Sequence, residues 1–148
     1  MTKQIDPKQY LRQYLIVIKE IDRKADEIKR LRSLAEKVTQ TISTDRVQTS
    51  PRGDQLPDAI ARIICLEDDI AAQIEQMIII RTDIDTTINR IDDLRLRILL
   101  NYRYIDGMTW EEIAVKMGLS YVHIVHRLHP YALKKITDVI ECNIQSVI

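Results

Sequence analysis

At 148 residues, with 45% hydrophobic residues, three glycines and four prolines, the chain is long enough for one or two small domains and too apolar to be mainly disordered. Its 22 Lys and Arg balance 22 Asp and Glu, so no global positive field draws it to nucleic acid or to an anionic membrane. No apolar run approaches the ~20 residues that cross a bilayer, and the N-terminus lacks the apolar core of a signal peptide, so a cytoplasmic protein is expected. Cys65 and Cys142 have no Cys or His partner at ligand spacing, which argues against a disulfide framework or a zinc ribbon. Phenylalanine is absent and helix-forming residues dominate, which predicts an all-α fold.

Asp6 followed by Pro7 predicts a helix N-cap with proline at the first helical position. Apolar residues then recur at Leu11, Tyr14, Ile18, Ile21, Ala25 and Ile28 in steps of three and four, the seam of a coiled coil. The rhythm slips once at Ile28, where two steps of three meet, and continues through Leu31, Ala35, Val38 and Ile42. Ser, Thr, Pro and Gly cluster between 44 and 57, which predicts a hinge.

Asp58 is expected to cap a second helix with a stripe at Ile60, Ile63, Leu66, Ile70, Ile74, Met77, Ile84, Ile88 and Ile91. The two helices form an antiparallel, coiled-coil-like hairpin. Ile64, Ile78, Ile79 and Ile80 fall off this stripe, and a second copy of the hairpin would cover them, so residues 1–91 are expected to be a dimerisation region. Arg81 on the apolar seam reads as a specificity device or as a side chain snorkelling at the bundle edge.

At Asp92 and Asp93 a new stripe begins with Leu94, Ile98 and Tyr102, which places a domain boundary there and a second domain over 92–148. Gly107 should end the next helix in the left-handed conformation. Thr109 and Glu112 form a T-x-x-E capping box, Gly118 ends the short helix that follows, and Ser120 caps YVHIVHRLH. Three residues between two short helices is helix-turn-helix geometry. Ile113, Met117, Ile124 and Leu128 are its expected inward residues, Ala114 its close crossing and Leu119 its plug. Trp110 is expected to pack on the preceding helix.

The stretch LRLRILLNYRYIDGMTWEEIAVKMGLS, followed by IVHRLH and ALKKI, resembles region 4 of sigma-70-type transcription factors over about residues 92–136. With the helical N-terminal half it resembles phage transcriptional regulators of the ArpU and RinA kind. The resemblance implies binding of double-stranded promoter DNA, with RNA polymerase as a protein partner; joined to the homodimer expected from the hairpin, it makes the chain a sequence-specific regulator that reads the major groove with residues 120–129. Ser120, Tyr121, His123, His126, Arg127 and His129 are the expected reading face. Thr109, Lys116, Arg103, Lys134 and Lys135 are the expected backbone contacts, which position a reader without specifying sequence.

Pro130 and Tyr131 include one residue more than the pattern resembled, and a proline inside a helix costs roughly 3 kcal/mol, so the reader helix is expected to kink or end near His129. The histidines at 123, 126 and 129 drift around the helix and have no nearby carboxylate or thiolate partner, which reads as surface histidines on a binding helix, not a metal site. Such a face gains charge as pH falls through ~6.5, so DNA affinity is expected to rise with acidification. No GxSxG, HExxH, P-loop or GxGxxG motif is present, and neither catalysis nor a cofactor is expected. Two other readings stay open: a coiled-coil adaptor that binds another protein, and a DNA-packaging recognition subunit of the small-terminase kind.

Overall fold

The computed structural model describes residues 4–44 and 55–147. The centre of the expected hinge, 45–54, lies outside them. The fold is all-α, and no strand occurs among the described residues. Helix α1 runs Pro7–Thr44 and α2 runs Gln55–Asn89. Asp6 accepts from the amide of Lys8 at 3.0 Å and so caps α1 as its spacing predicts. Helix α2 starts ahead of Asp58, which lies in the first turn and does not cap it. Pro57 sits there without penalty because first-turn amides have no intrahelical acceptor, and Asp58 complements the positive end of the helix dipole.

The chain divides into two compact units, one from Val17 to Gln76 and one joining the chain up to Ile16 with the chain from Met77 onward. In the first, α1 and α2 pair antiparallel. Lys24 Nζ donates to Gln73 at 3.0 Å, Gln73 Nε2 donates to Glu20 at 2.8 Å, and Arg32 pairs with Glu67 at 2.8 Å. Ile28, Val38, Ala59 and Leu66 are buried between the helices. The α1 seam lies where its spacing predicts from Leu11 to Val38; the side chain of Ile42, its last expected member, lies outside the described residues. The α2 seam does not include Ile60 and Ile74, which are 47% and 39% exposed. It runs through Ala59, Ile63, Leu66, Ile70, Gln73, Met77, Ile80, Ile84 and Thr87, and Ile91 just past the helix end continues it, all buried or half-buried. Those steps alternate four and three without a break, the 3.5-residue period that keeps one face on a partner helix. Two polar residues occupy seam positions, which is why a stripe drawn through apolar residues alone drifts off it.

The second unit gathers the ends of the hairpin and everything after them. Tyr10 donates to Asp83 at 2.5 Å and shares a 2.8 Å hydrogen bond with buried Thr87. Burial, and then the Asp83 bond, raise the Tyr10 pKa. Arg81 lies on the edge of the pair, not in the seam: it is exposed, donates to the Tyr14 hydroxyl at 3.1 Å and stands 3.7 Å from Asp85.

After α2, Asp93 caps α3, Leu94–Leu100, by accepting from the amide of Arg95 at 2.9 Å. A π-helical turn, Asn101–Ile105, continues it. Helix α4 spans Trp110–Met117, and α5, Tyr121–His123, passes through a second π turn, Ile124–Leu128, into α6, His129–Ser146. Leu96, Leu99, Leu100, Ile113, Ile124, Ala132 and Ile136 form the core together with Leu11 of α1 and Ile84 and Ile88 of α2. A break at Asp92 is present, but it does not separate the compact units, because the first turns of α1 and the last turns of α2 are built into this core.

Candidate nucleic-acid interface

Local chemistry sets each end of the helix pair. Thr109 Oγ1 accepts from the amide of Glu112 at 3.2 Å, and Glu112 Oε2 accepts from the amide of Thr109 at 3.0 Å, so two orphan donors are satisfied reciprocally. Gly107 and Gly118 take φ of 69° and 65°, the left-handed region that a side chain disfavours. Ser120 accepts from the amide of His123 at 3.2 Å and starts α5. Gly118, Leu119 and Ser120 therefore form the short turn between α4 and α5. Ile113 and Ile124 are fully buried, Leu128 is nearly so, and Met117, Ala114 and Leu119 are half-buried, as a packed helix-turn-helix requires.

Pro130 neither ends nor breaks the second helix. The amide of His129 bonds the carbonyl of Ile124, one residue further back than an α-helical bond. A π turn therefore holds one more residue than an α turn, and the extra residue between RLH and ALKKI is absorbed inside a continuous helical run. Pro130 follows as the second residue of α6, directly after the π turn.

The outer side of this run carries Ser120, Tyr121, His126 and Arg127, all exposed, and His123 half-exposed at its edge. Lys134 extends the same side along α6 and is also exposed. Val122, 64% exposed, and Tyr131, 47% exposed, belong to it too. Val122 is on the face the sequence offers; Tyr131 was not placed there from the sequence, although its spacing from Arg127 puts it on that side.

Three expected site residues are differently placed. His129 is buried, not on the exposed outer side of the helix. Its Nε2 lies 2.6 Å from the Tyr104 hydroxyl, and its ring meets Trp110 edge-on at 4.5 Å between centroids. Burial, reinforced by the positive charges of Lys8, Arg103 and Arg12, pushes its pKa down to about 4, so it stays neutral near pH 7. Arg103 is half-buried and held in place: its guanidinium covers Trp110 at 4.4 Å and donates to the Met108 carbonyl at 3.0 Å, which orients the side chain. Lys135 is half-buried, with its ammonium 5.3 Å from the Tyr131 ring centroid. Lys116 is exposed and lies 5.4 Å from the Tyr102 ring centroid, while the exposed Thr109 has its hydroxyl engaged in the cap.

A family model described as a protein of unknown function, DUF1492, matches residues 37–137, more than half of the chain. The chain belongs to the DUF1492 family. The matched span begins near the end of α1 and takes in all of α2, the helix pair and its exposed side. No curated protein and no solved structure matches the chain. Within this DUF1492 protein no helix among the described residues is long and apolar enough to cross a membrane, and no cluster of His, Cys, Asp and Glu is arranged to hold a metal ion.

Proposed function

We propose that this protein is a cytoplasmic, sequence-specific DNA-binding transcriptional regulator of phage or prophage origin that acts as a homodimer and reads the major groove with the outer side of the helix beginning at Tyr121. The observation that carries the reading is a pair of independently capped helices, joined by a three-residue turn, whose second member leaves Tyr121, Val122, His126 and Arg127 open to solvent. A helix of this kind fits the major groove, and an arginine on its open side suits a guanine edge or a phosphate. RNA polymerase is the protein partner that the sigma-like resemblance implies.

Dimerisation is supported by a second stripe on α2. Ile60, Ile64, Ala71, Ile74 and Ile78, with Glu67 among them, step by four and three beside the seam that faces α1, and the four isoleucines are 39–56% exposed. A helix with one seam belongs to a pair; one with two adjacent seams belongs to a bundle.

Selection of bound fragments from random duplex DNA, with mass measured by light scattering on the same sample, tests the reading. Enrichment of a defined, paired half-site is expected, and Arg127→Ala with His126→Ala should abolish specific retention at unchanged mass. Unchanged retention removes these residues from the site, and no enrichment at all removes the DNA reading. The zero net charge and the second isoleucine stripe favour one alternative, a protein-interaction adaptor, which predicts no DNA retention and an intact oligomer.

A further inference from the structure

Beside the reading helix, within the same compact unit, Lys8 and Arg12 of α1 and Arg103 of the first π turn line a cleft of about 300 Å³ whose apolar walls include Trp110, Val125 and Leu133. Among the described residues no carboxylate lines it. None of the three cations makes an ion pair among the described residues. Asp6, close by in sequence, accepts from the amide of Lys8 as the cap of α1. Asp6 also acts electrostatically on Tyr104 in the cleft wall, but three cations against one carboxylate leave a net positive charge, and an anion placed among them relieves their mutual repulsion. A second cleft in the unit shows the contrast, since Arg90 and Lys135 there face Asp92, Asp93 and Asp138.

Arg103 is already oriented. Its stacking on Trp110 and its single bond to the Met108 carbonyl fix the guanidinium plane while leaving further N–H donors unused. Lys8 and Arg12 are exposed and sit one turn apart on α1, so both reach the opening from one side. Burial does most to disfavour protonation of His129 in the cleft wall, and the positive charges of Lys8, Arg103 and Arg12 add to it.

We propose that this cleft binds a phosphate group, gripped by Lys8, Arg12 and Arg103. Two arginines and a lysine match the several oxygens and multiple charge of a phosphate better than a single carboxylate, because guanidinium forks pair with adjacent phosphate oxygens. The phosphate is carried either by a small monoester or by a DNA backbone. A bound phosphate ties α1 to Arg103, and both to the wall formed by Trp110 and the helix through Val125 and Leu133. Sequence reading missed Lys8 and Arg12 because they stand nearly a hundred residues before Arg103, on a helix assigned to a different domain.

Trp110 is the sole tryptophan and lines the cleft, so its fluorescence reports occupancy. The full chain is titrated with inorganic phosphate, with adenosine 5′-monophosphate and with a short duplex of random sequence, at ionic strength held constant with chloride. Saturable change with either small phosphate assigns a free ligand; saturable change with the duplex alone assigns the DNA backbone. Lys8→Gln with Arg12→Gln, both at exposed positions, should weaken the response about tenfold or more while circular dichroism and melting stay those of the parent. Arg127→Ala with His126→Ala should retain the small-phosphate response in full, so loss of DNA reading and loss of this site are told apart. No saturable change with any of the three probes, or an equal response in the Lys8 and Arg12 variant, overturns the proposal.

Discussion

The Tyr104 hydroxyl lies 2.6 Å from Nε2 of His129, joining the π turn after α3 to the start of α6 across the base of the helix pair. Burial raises the Tyr104 pKa and lowers that of His129 to about 4, so a neutral phenol meets a neutral imidazole. Trp110 closes over the imidazole edge-on, and Arg103 covers Trp110 in turn. The four side chains form one stack that sets where the second helix starts relative to the first.

This pair makes stability depend on pH. In the unfolded chain His129 titrates near the ordinary ~6.5; in the folded chain it does so near 4. Between those values the unfolded state binds the extra proton, so the His129 contribution is intact above about pH 6.5 and is lost as pH falls toward 4, by at most about 3 kcal/mol. Urea denaturation from neutral pH to pH 5 should show falling stability, and His129→Gln, which keeps a hydrogen-bonding side chain, should flatten that slope. An equal slope in the variant assigns the acid sensitivity to other groups.

Features that depend on near neighbours were legible in the sequence. Thr109, Glu112, Gly118 and Ser120 act over three or four residues, and each takes the role its spacing predicts. The coiled-coil period was legible as well, but not its phase on α2. Gln73 and Thr87 hold seam positions by hydrogen bonding to Lys24, Glu20 and Tyr10, and those partners arrive only through tertiary packing. The burial of His129 was hidden for a similar reason. Its partners Tyr104 and Trp110 are distant in sequence, and the π turn shifts the residues that follow by one position. The break at Asp92 is a local signal, whereas the inclusion of the ends of α1 and α2 in the same core is not. A Cβ on Gly107 would stand 3.7 Å from Leu15, a proximity no periodicity encodes.

Gly118 offers a clean measure of backbone strain. Its φ is 65°, and a Cβ built there meets nothing within 4 Å, so substitution costs conformational energy without a clash. Gly118→Ala should destabilise the protein by roughly 1–2 kcal/mol, and Gly118→Asn by less, because asparagine tolerates the left-handed region better than alanine does. Val115→Ala, on a side chain 83% exposed in α4, is the matched control and should change stability by only a few tenths, about 0.5 kcal/mol or less. Chemical denaturation of the three variants is the test. A Gly118→Ala protein as stable as its parent would mean that the turn can relax out of the left-handed conformation.

The second stripe on α2 bears on assembly. Ile64 and Ile78 are 53% and 56% exposed, and Ile79 beside them is 70% exposed, although the helix is already paired with α1 along its other seam. Covering each half-exposed isoleucine in a dimer contributes about 1 kcal/mol, and a charge placed there must be desolvated on association. Ile64→Glu with Ile78→Glu should therefore halve the mass seen by light scattering, from two chains to one, while helicity stays high because neither residue lies in the α1–α2 seam. DNA affinity should fall in the same variant, since paired half-sites need two readers on one assembly, whereas Arg127→Ala with His126→Ala should lose DNA and keep the dimer. A charged variant that retains the parent mass would place the dimer contact elsewhere and leave this stripe open to a different partner.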